Sequence, residues 1–209
     1  IWRNKMVQYF HDGGNFMWPI LVALVFGLGF TLERIYSLMM SRIDSKTFFD
    51  DITKVIDNDG AEAALELCEQ TQGPVSAIFH AGLSRLHRGL AEVEKAIQNA
   101  GALEMAFLEK NMIWLNAVIT IAPMLGFTGT VIGMISAFDA IKAANDISPA
   151  VVAGGISQAL LTTAFGLVVA MIIQTFQNLF VSRIDKLVLE MEEQSVKIMD
   201  HLYEAETKK

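Results

Sequence analysis

Cysteine and histidine are scarce in this sequence, and their scarcity narrows the chemistry open to it. Cys68 is the only cysteine, so no disulfide can form within the chain. The four histidines are scattered without the spacing of a metal site, and no G-x-S-x-G, P-loop or C-x-x-C motif occurs. We therefore expect no catalytic residue, no metal site and no cofactor, and we interpret Cys68 as a free, half-buried thiol.

Charge is missing from three long stretches of the chain. Uncharged runs occupy residues 13–32, 111–138 and 147–182, which are 20, 28 and 36 residues long. A helix needs about 20 predominantly apolar residues to cross roughly 30 Å of hydrocarbon. The alternative, a soluble protein with three buried core helices, leaves too little polar sequence to cover them. The sequence predicts an all-α integral membrane protein with three transmembrane helices.

Basic residues are scarce on one side of these predicted spans. Only Arg3, Lys5 and Lys142 fall on that side, whereas the other thirteen of the sixteen lie between the first two runs or after the third. Lys and Arg near span ends favour the cytoplasm, so the N-terminus is expected outside and the C-terminus inside. The net charge of −7 and the absence of a basic stripe argue against a nucleic-acid partner.

Amphipathic patterns adjoin the second and third runs. Apolar positions at helical spacing lead from Val93 to Phe107 towards the second run without a stop signal, and others follow the third run from Ile184 to Leu202. This pattern predicts that spans two and three extend into the cytoplasm as long, uninterrupted helices. The chain divides into an outer N-terminal segment (1–15), the first span (16–40), a cytoplasmic helical domain (41–110), the second span (111–138), a short outer loop (139–148), the third span (149–182) and a cytoplasmic C-terminal helix (183–209).

Small and hydroxyl-bearing residues are concentrated in the second and third spans. Small residues sharing one helix face allow close helix approach in lipid. The predicted packing and pore-lining positions are Pro123, Gly126, Gly129, Gly133, Gly155, Ala159 and Gly166. Polar side chains at mid-membrane depth tend to line cavities or polar paths, which singles out Thr130, Gln158, Thr162 and Thr163. Tight packing is the alternative role for both sets.

Neither of these two spans contains an Asp, Glu, Lys, Arg or His. Hydroxyls and amides can relay a proton through hydrogen bonds, but they cannot hold and release one near neutral pH. If the protein moves protons, we expect the titrating carboxylate to come from another chain.

Two segments carry a family resemblance that covers nearly the whole chain. IAPMLGFTGTVIGMISAF at 121–138 and VVAGGISQALLTTAFGLVVA at 151–170 are similar to signatures of the MotA/TolQ/ExbB proton-channel family, and TLERIYSL at 31–38 resembles the end of its first span. Three spans and a short cytoplasmic segment resemble the ExbB and TolQ branch more than MotA, with ExbB preferred over TolQ.

The resemblance implies a homopentameric ring in the bacterial inner membrane, with segments 1–15 and 139–148 in the periplasm. It implies an ExbD- or TolR-like partner with one span that carries an intramembrane Asp, a TonB-like protein beyond it, and protons as the coupling ion. By position, Thr130 and Thr163 correspond to the family's pore threonines.

One position departs from the family pattern. Many relatives have Glu where this chain has Gln158, and glutamine does not titrate. Either hydrogen bonding at this position is sufficient, or this chain uses another proton path or sodium, with Thr162 beside Thr163 as oxygen ligands. A self-contained channel would be expected to carry its own intramembrane charge, and a passive scaffold would leave the mid-membrane threonines without a role.

Overall fold

The computed structural model describes residues 2–40, 44–144 and 149–207, and every regular element in them is helical. The α-helices are α1 (Trp2–Asp12), α2 (Met17–Met40), α3 (Ser45–Asp59), α4 (Ala61–Gln70), α5 (Pro74–Leu83), α6 (Leu90–Glu109), α7 (Met112–Ala144) and α8 (Pro149–Thr207), with a 3₁₀ turn at Leu86–Arg88. The predicted all-α fold is confirmed. Residues 145–148 of the predicted outer loop lie outside the described residues.

Three helical stretches are long and apolar enough to cross a membrane. They are Met17–Met39 in α2, the stretch Leu90–Ala143 that covers α6 and all but the last residue of α7, and Val152–Thr207 in α8. The predicted three-span architecture is therefore confirmed. For the third span, α8 is a single helix of 59 residues that continues beyond the uncharged run, as its amphipathic pattern predicts.

The second span is not continuous with the helix before it, and the prediction of one uninterrupted helix is wrong at this point. α6 ends at Glu109, and Asn111 adopts a left-handed conformation with φ of 67° before α7 begins. Asn is among the few residues that tolerate this conformation. Arg34 donates a hydrogen bond from Nη1 to the Leu108 carbonyl at 3.2 Å, and Asn111 donates from Nδ2 to Glu33 Oε2 at 3.3 Å. Two side chains of α2, which is distant in sequence, thus form hydrogen bonds with polar groups at the break.

The chain forms two compact units. The membrane unit comprises Ile1–Glu33 and Asn111–Asn178, and the helical unit comprises Arg34–Lys110 and Leu179–Lys209. In the membrane unit, α2 approaches α7 and α8 through Gly27, where an added Cβ would lie 2.9 Å from Ile173 and 3.1 Å from Val118. Many large apolar side chains of this unit remain exposed, such as Phe127 at 67%. Exposed apolar surface of this kind suits contact with lipid or other apolar helices.

The helical unit has a conventional hydrophobic core. Phe48 of α3 stacks on Phe79 of α5 with ring centroids 5.9 Å apart, and Gly82 allows α5 to approach Ile97 of α6. α3 also meets α8 through a hydrogen bond from Ser45 Oγ to Glu190 Oε2 at 3.1 Å. Cys68 is buried in this unit as a free thiol, in agreement with the sequence-based interpretation that it is unpaired.

Candidate functional site

The helices α7 and α8 meet along a seam of small residues. A Cβ added to Gly126 would lie 2.8 Å from the Thr162 carbonyl oxygen, and one added to Gly166 would lie 2.5 Å from the Ala122 carbonyl oxygen. Further along the seam, a Cβ on Gly155 would lie 2.7 Å from the Gly133 carbonyl oxygen. Such distances leave no room for a side chain, so the two backbones are in direct contact.

The seam brings together most of the small residues that the sequence singled out. Gly129 faces the Thr162 side chain, and Ala159 is buried against Gly133. Pro123 lies inside α7 without ending it, one residue after the buried Ala122. In lipid, close backbone contact of this kind supplies the dispersion energy that holds helices together.

The hydroxyls of Thr130 and Thr163 are hydrogen-bonded to each other across the seam. Thr130 Oγ1 also lies 3.1 Å from the Ala159 carbonyl oxygen and 3.2 Å from that of Gly126, and Thr163 Oγ1 lies 3.2 Å from the same Gly126 oxygen. Each hydroxyl carries one hydrogen, so acceptors outnumber hydrogens in this cluster. Such a cluster can exchange one hydrogen-bond pattern for another, which proton relay requires.

Thr162 has different surroundings, although it is adjacent to Thr163. It is completely buried, and its hydroxyl donates to the carbonyl oxygen of Ala159 at 2.9 Å or of Gln158 at 3.3 Å. A Cβ on Gly129 would lie 2.5 Å from its Oγ1. These contacts favour a packing role for Thr162, whose hydroxyl shares the Ala159 carbonyl oxygen with Thr130 but is not hydrogen-bonded to the hydroxyl of Thr130 or Thr163.

Gln158 lies at another part of the membrane unit. Its amide packs against Gly14, which has φ of 71° in the connection between α1 and α2, so that a Cβ at that glycine would overlap Gln158 Nε2. Among the described residues no hydrogen bond joins its side chain to Thr130 or Thr163. The four polar residues predicted as a path therefore form one pair and two separate positions.

An amide pair between α7 and α8 was not singled out from the sequence. Gln177 donates a hydrogen bond from Nε2 to Asn116 Oδ1 at 2.7 Å, and Gln174 donates to Asn178 Oδ1 at 2.8 Å on the same helix. Gln177 is buried, and its Oε1 accepts no hydrogen bond from the described residues. The sequence carries one signal for this pair: a side-chain amide is costly to bury within an uncharged run unless it has a hydrogen-bond partner there.

The electrostatics of this region depend on dipoles. Residues 112–138 of α7 and residues 149–182 of α8 carry no ionisable side chain. The described residues also contain no group of three or more His, Cys, Asp or Glu side chains that could hold a metal ion. The arrangement can donate, accept and pass on hydrogen bonds, but it offers no acid or base that titrates near neutral pH.

Comparisons with known proteins identify a family. Residues 70–193 match the MotA/TolQ/ExbB proton channel family. A biopolymer transport protein ExbB homolog of Methanothermobacter thermautotrophicus is 33% identical over 183 residues, which cover 87% of this chain and 65% of that protein. An ExbB-like biopolymer transport protein of Synechocystis is 26% identical over 80% of this chain and 81% of its own length.

A shorter match extends to the Tol branch. The Tol-Pal system protein TolQ of Haemophilus influenzae is 37% identical over 76 residues, which cover 36% of this chain and 33% of that protein. The family match at residues 70–193 includes all of α7 and the first part of α8.

Proposed function

Because this chain belongs to the MotA/TolQ/ExbB proton channel family, we propose that it is the ring subunit of an ExbB–ExbD-type motor driven by the proton motive force. The motor energises transport or force transmission to the outer membrane through a TonB-like protein. The observation that carries this proposal is the Thr130–Thr163 hydroxyl pair, which lies in a seam between two spans that have no ionisable residue.

Because the second and third spans carry no ionisable residue, the proposal requires the titrating group to come from another chain. A proton that crosses the membrane releases about 2.3 kcal/mol per 100 mV, but a motor also needs a group that binds the proton and changes charge. The proposed partner is an ExbD- or TolR-like protein with one span and an intramembrane Asp, enclosed by a homopentameric ring of this chain. In this arrangement Thr130 and Thr163 pass hydrogen bonds to and from that carboxylate.

The proposed location is the bacterial inner membrane, with the N-terminus in the periplasm and the C-terminus in the cytoplasm. The support for this orientation is the concentration of Lys and Arg between the first two spans and after the third. The same orientation assigns the helical unit, with its conventional core, to the cytoplasm.

A second candidate is a TolQ-like subunit of the Tol-Pal envelope system, which the match to the Haemophilus influenzae TolQ favours. A passive scaffold is a further alternative and predicts a function that does not respond to a protonophore. The two motor candidates differ in their downstream partner and not in the hydroxyl pair.

The test is proton flux in liposomes, measured with a pH-sensitive dye under an imposed membrane potential. The chain is purified alone and together with the product of a neighbouring reading frame that encodes a single span with an Asp. We expect flux only from the complex, and loss of that flux when the Asp is replaced by Asn. Equal flux from the chain alone would contradict the proposal, because this chain would then supply the proton-binding group itself.

A further inference from the structure

A small pocket opens in the helical unit beside the ends of two spans. Its volume is about 310 Å³. It is lined by Ile35, Leu38 and Met39 of α2 and by Leu179, Phe180 and Arg183 of α8. Five of the six described lining residues are apolar, and the sixth is a cation. Leu179 follows Thr163 by 16 residues on α8, about 24 Å along a helix, and the proposed proton path does not use the pocket.

Arg183 is the polar group of this pocket. Its Nε is buried and donates to no acceptor among the described residues, and no described acidic residue lines the pocket. A buried donor without an acceptor is costly, and a guanidinium pairs best with a planar or tetrahedral oxyanion through charge-assisted hydrogen bonds. The pocket is therefore complementary to an anion.

The position of the pocket along both helices indicates which kind of anion. Arg183 is the first charged residue after the uncharged run 147–182, and Ile35 follows the first charges after the run 13–32. Both helices thus reach the pocket where their apolar stretches end, which is the depth of lipid headgroups. Tyr36, exposed at 67%, is suited to the same interface.

The apolar walls distinguish a lipid from a small anion. Met39 and Leu179 are exposed at 60% and 61%, whereas Leu38 and Phe180, which also line the pocket, are buried. A free phosphate would contact Arg183 and gain nothing from the exposed Met39 and Leu179, whereas the acyl chain of a lipid would cover these two side chains. Basic pockets between membrane helices commonly bind phosphate-bearing headgroups.

We propose that this pocket binds one anionic phospholipid, with its phosphate on Arg183 and the start of an acyl chain against Met39 and Leu179. This inference depends on the membrane architecture and not on the proposed motor activity. A chain that conducted no protons would still be expected to bind the lipid.

The first experiment counts lipids bound to the purified full-length chain by native mass spectrometry in detergent. The probes are phosphatidylglycerol and phosphatidylcholine with identical acyl chains. We expect one phosphatidylglycerol per chain, bound about tenfold or more tightly than phosphatidylcholine. Equal binding of the two lipids would overturn the proposal.

Two substitutions of matched charge locate the site. Arg183→Gln removes the pocket cation, whereas Lys186→Gln removes an exposed charge that does not line the pocket, three residues further along α8. We expect Arg183→Gln to weaken phosphatidylglycerol binding about tenfold or more and Lys186→Gln to retain it. Equal affinities in Arg183→Gln and the unmodified chain would overturn the assignment.

A third variant tests the cavity without removing the charge. Leu179→Trp places a larger side chain at an exposed lining position, and we expect it to lose the lipid while its helical circular dichroism is unchanged. Retained lipid would overturn the proposal. Because Leu179 is 61% exposed, its replacement should not disturb the core.

Two further measurements separate the lipid from other occupants. Inorganic phosphate and glycerol phosphate, at the lipid's concentration, should give no thermal stabilisation, whereas phosphatidylglycerol should raise the melting temperature. Equal stabilisation by phosphate would show an anion site and overturn the lipid assignment. Disulfide cross-linking of Leu179→Cys chains in the Cys68→Ser background should be absent; efficient cross-linking would show that a second copy covers the pocket.

Discussion

At the scale of single residues, Thr162 and Thr163 are adjacent on α8 but make different contacts. Successive residues of an α-helix point about 100° apart, so two neighbours meet different parts of an adjacent helix. Thr162 enters the seam against Gly129, and Thr163 meets the hydroxyl of Thr130. The same side chain therefore serves packing at one position and hydrogen-bond exchange at the next.

This difference gives a matched pair of substitutions. Thr163→Val keeps the shape of the side chain but removes the hydroxyl, and we expect proton flux through the reconstituted complex to fall about 100-fold or more, as for loss of a group that transfers protons. Thr162→Val should keep most of the flux and destabilise the chain by about 1 kcal/mol, the typical contribution of one hydrogen bond. Thr130→Val should behave as Thr163→Val. Equal losses of flux in the Thr162 and Thr163 variants would contradict this assignment.

Gln158 permits a test with a titratable group. Gln158→Glu retains the size of the side chain beside Gly14, and we expect an assembled complex whose proton flux has a shifted pH dependence. If the proton path passes residue 158, a carboxyl there adds a group whose protonation changes with pH. Flux at a series of pH values, compared with the unmodified complex, measures the effect. An unchanged profile would assign Gln158 to packing alone.

Cys68 gives a prediction outside the spans. Burial raises the pKa of its thiol to about 12. The thiolate is the reactive form, so between pH 7 and 9 the folded protein should be alkylated by iodoacetamide about 100-fold more slowly than the protein in denaturing detergent. An ordinary thiol gains thiolate steeply as the pH rises towards 9, whereas Cys68 should still be almost entirely protonated there. Rapid alkylation of the folded protein at pH 9, followed by mass spectrometry, would contradict the burial argument.

At the scale of elements, the junction between α6 and α7 shows how tertiary contacts interrupt a helix that local sequence would continue. Between Val93 and the second span there is no proline, and the single glycine, Gly101, lies within α6 and does not end it. The helix nevertheless ends beside Leu108, whose carbonyl accepts a hydrogen bond from the buried Arg34. A cationic donor at a helix C-terminus satisfies an orphan carbonyl and complements the helix dipole.

The seam gives a second pair of matched variants. Gly155→Ala would place a Cβ 2.7 Å from the Gly133 carbonyl oxygen and 2.9 Å from the Ala137 nitrogen, whereas Gly154→Ala meets nothing within 4 Å. Backbone atoms cannot move aside cheaply, so we expect Gly155→Ala to destabilise the chain by roughly 1–3 kcal/mol. Gly154→Ala should be neutral or slightly stabilising, because alanine is the better helix former. Melting temperatures in detergent measure both, and equal effects would show that the seam is less tight than described.

At the scale of the whole molecule, the charged side chains are confined to the segments outside the three uncharged runs. All three uncharged runs, at residues 13–32, 111–138 and 147–182, lack an ionisable group. Most of the acids that give the net charge of −7 lie on the proposed cytoplasmic side, between the first two runs or after the third. Uncharged spans can form hydrogen bonds along the route of a proton without binding it tightly at one position. A wall that held its own carboxylate would bind the ion at a fixed position.

This division bears on the coupling ion. The hydroxyls of Thr130 and Thr163 bond to each other and to backbone carbonyls, an arrangement in which a proton can pass without a bound cation. We expect the activity of the reconstituted complex to be unchanged when sodium is replaced by potassium, and to be lost when a protonophore is added. Dependence on sodium, or activity that survives the protonophore, would contradict proton coupling.

The sequence by itself determined the membrane architecture and the neutrality of its inner spans. Run length, charge and the spacing of small residues are properties of the chain in order, and the physics that uses them, transfer into hydrocarbon and close helix approach, depends little on distant residues. For this reason the three spans and the α7–α8 seam with Gly126, Gly155 and Gly166 could be anticipated.

Only the tertiary structure decided what each polar side chain contacts. It separated Thr162 from the Thr130–Thr163 pair, set Gln158 against Gly14 and joined Asn116 to Gln177. It also ended α6 at the donor of Arg34 and left the Nε of Arg183 without an acceptor among the described residues, in an apolar pocket. These outcomes depend on side-chain direction and on partners far along the chain. The energy of a hydrogen bond exists only when both partners are brought within about 3 Å of each other.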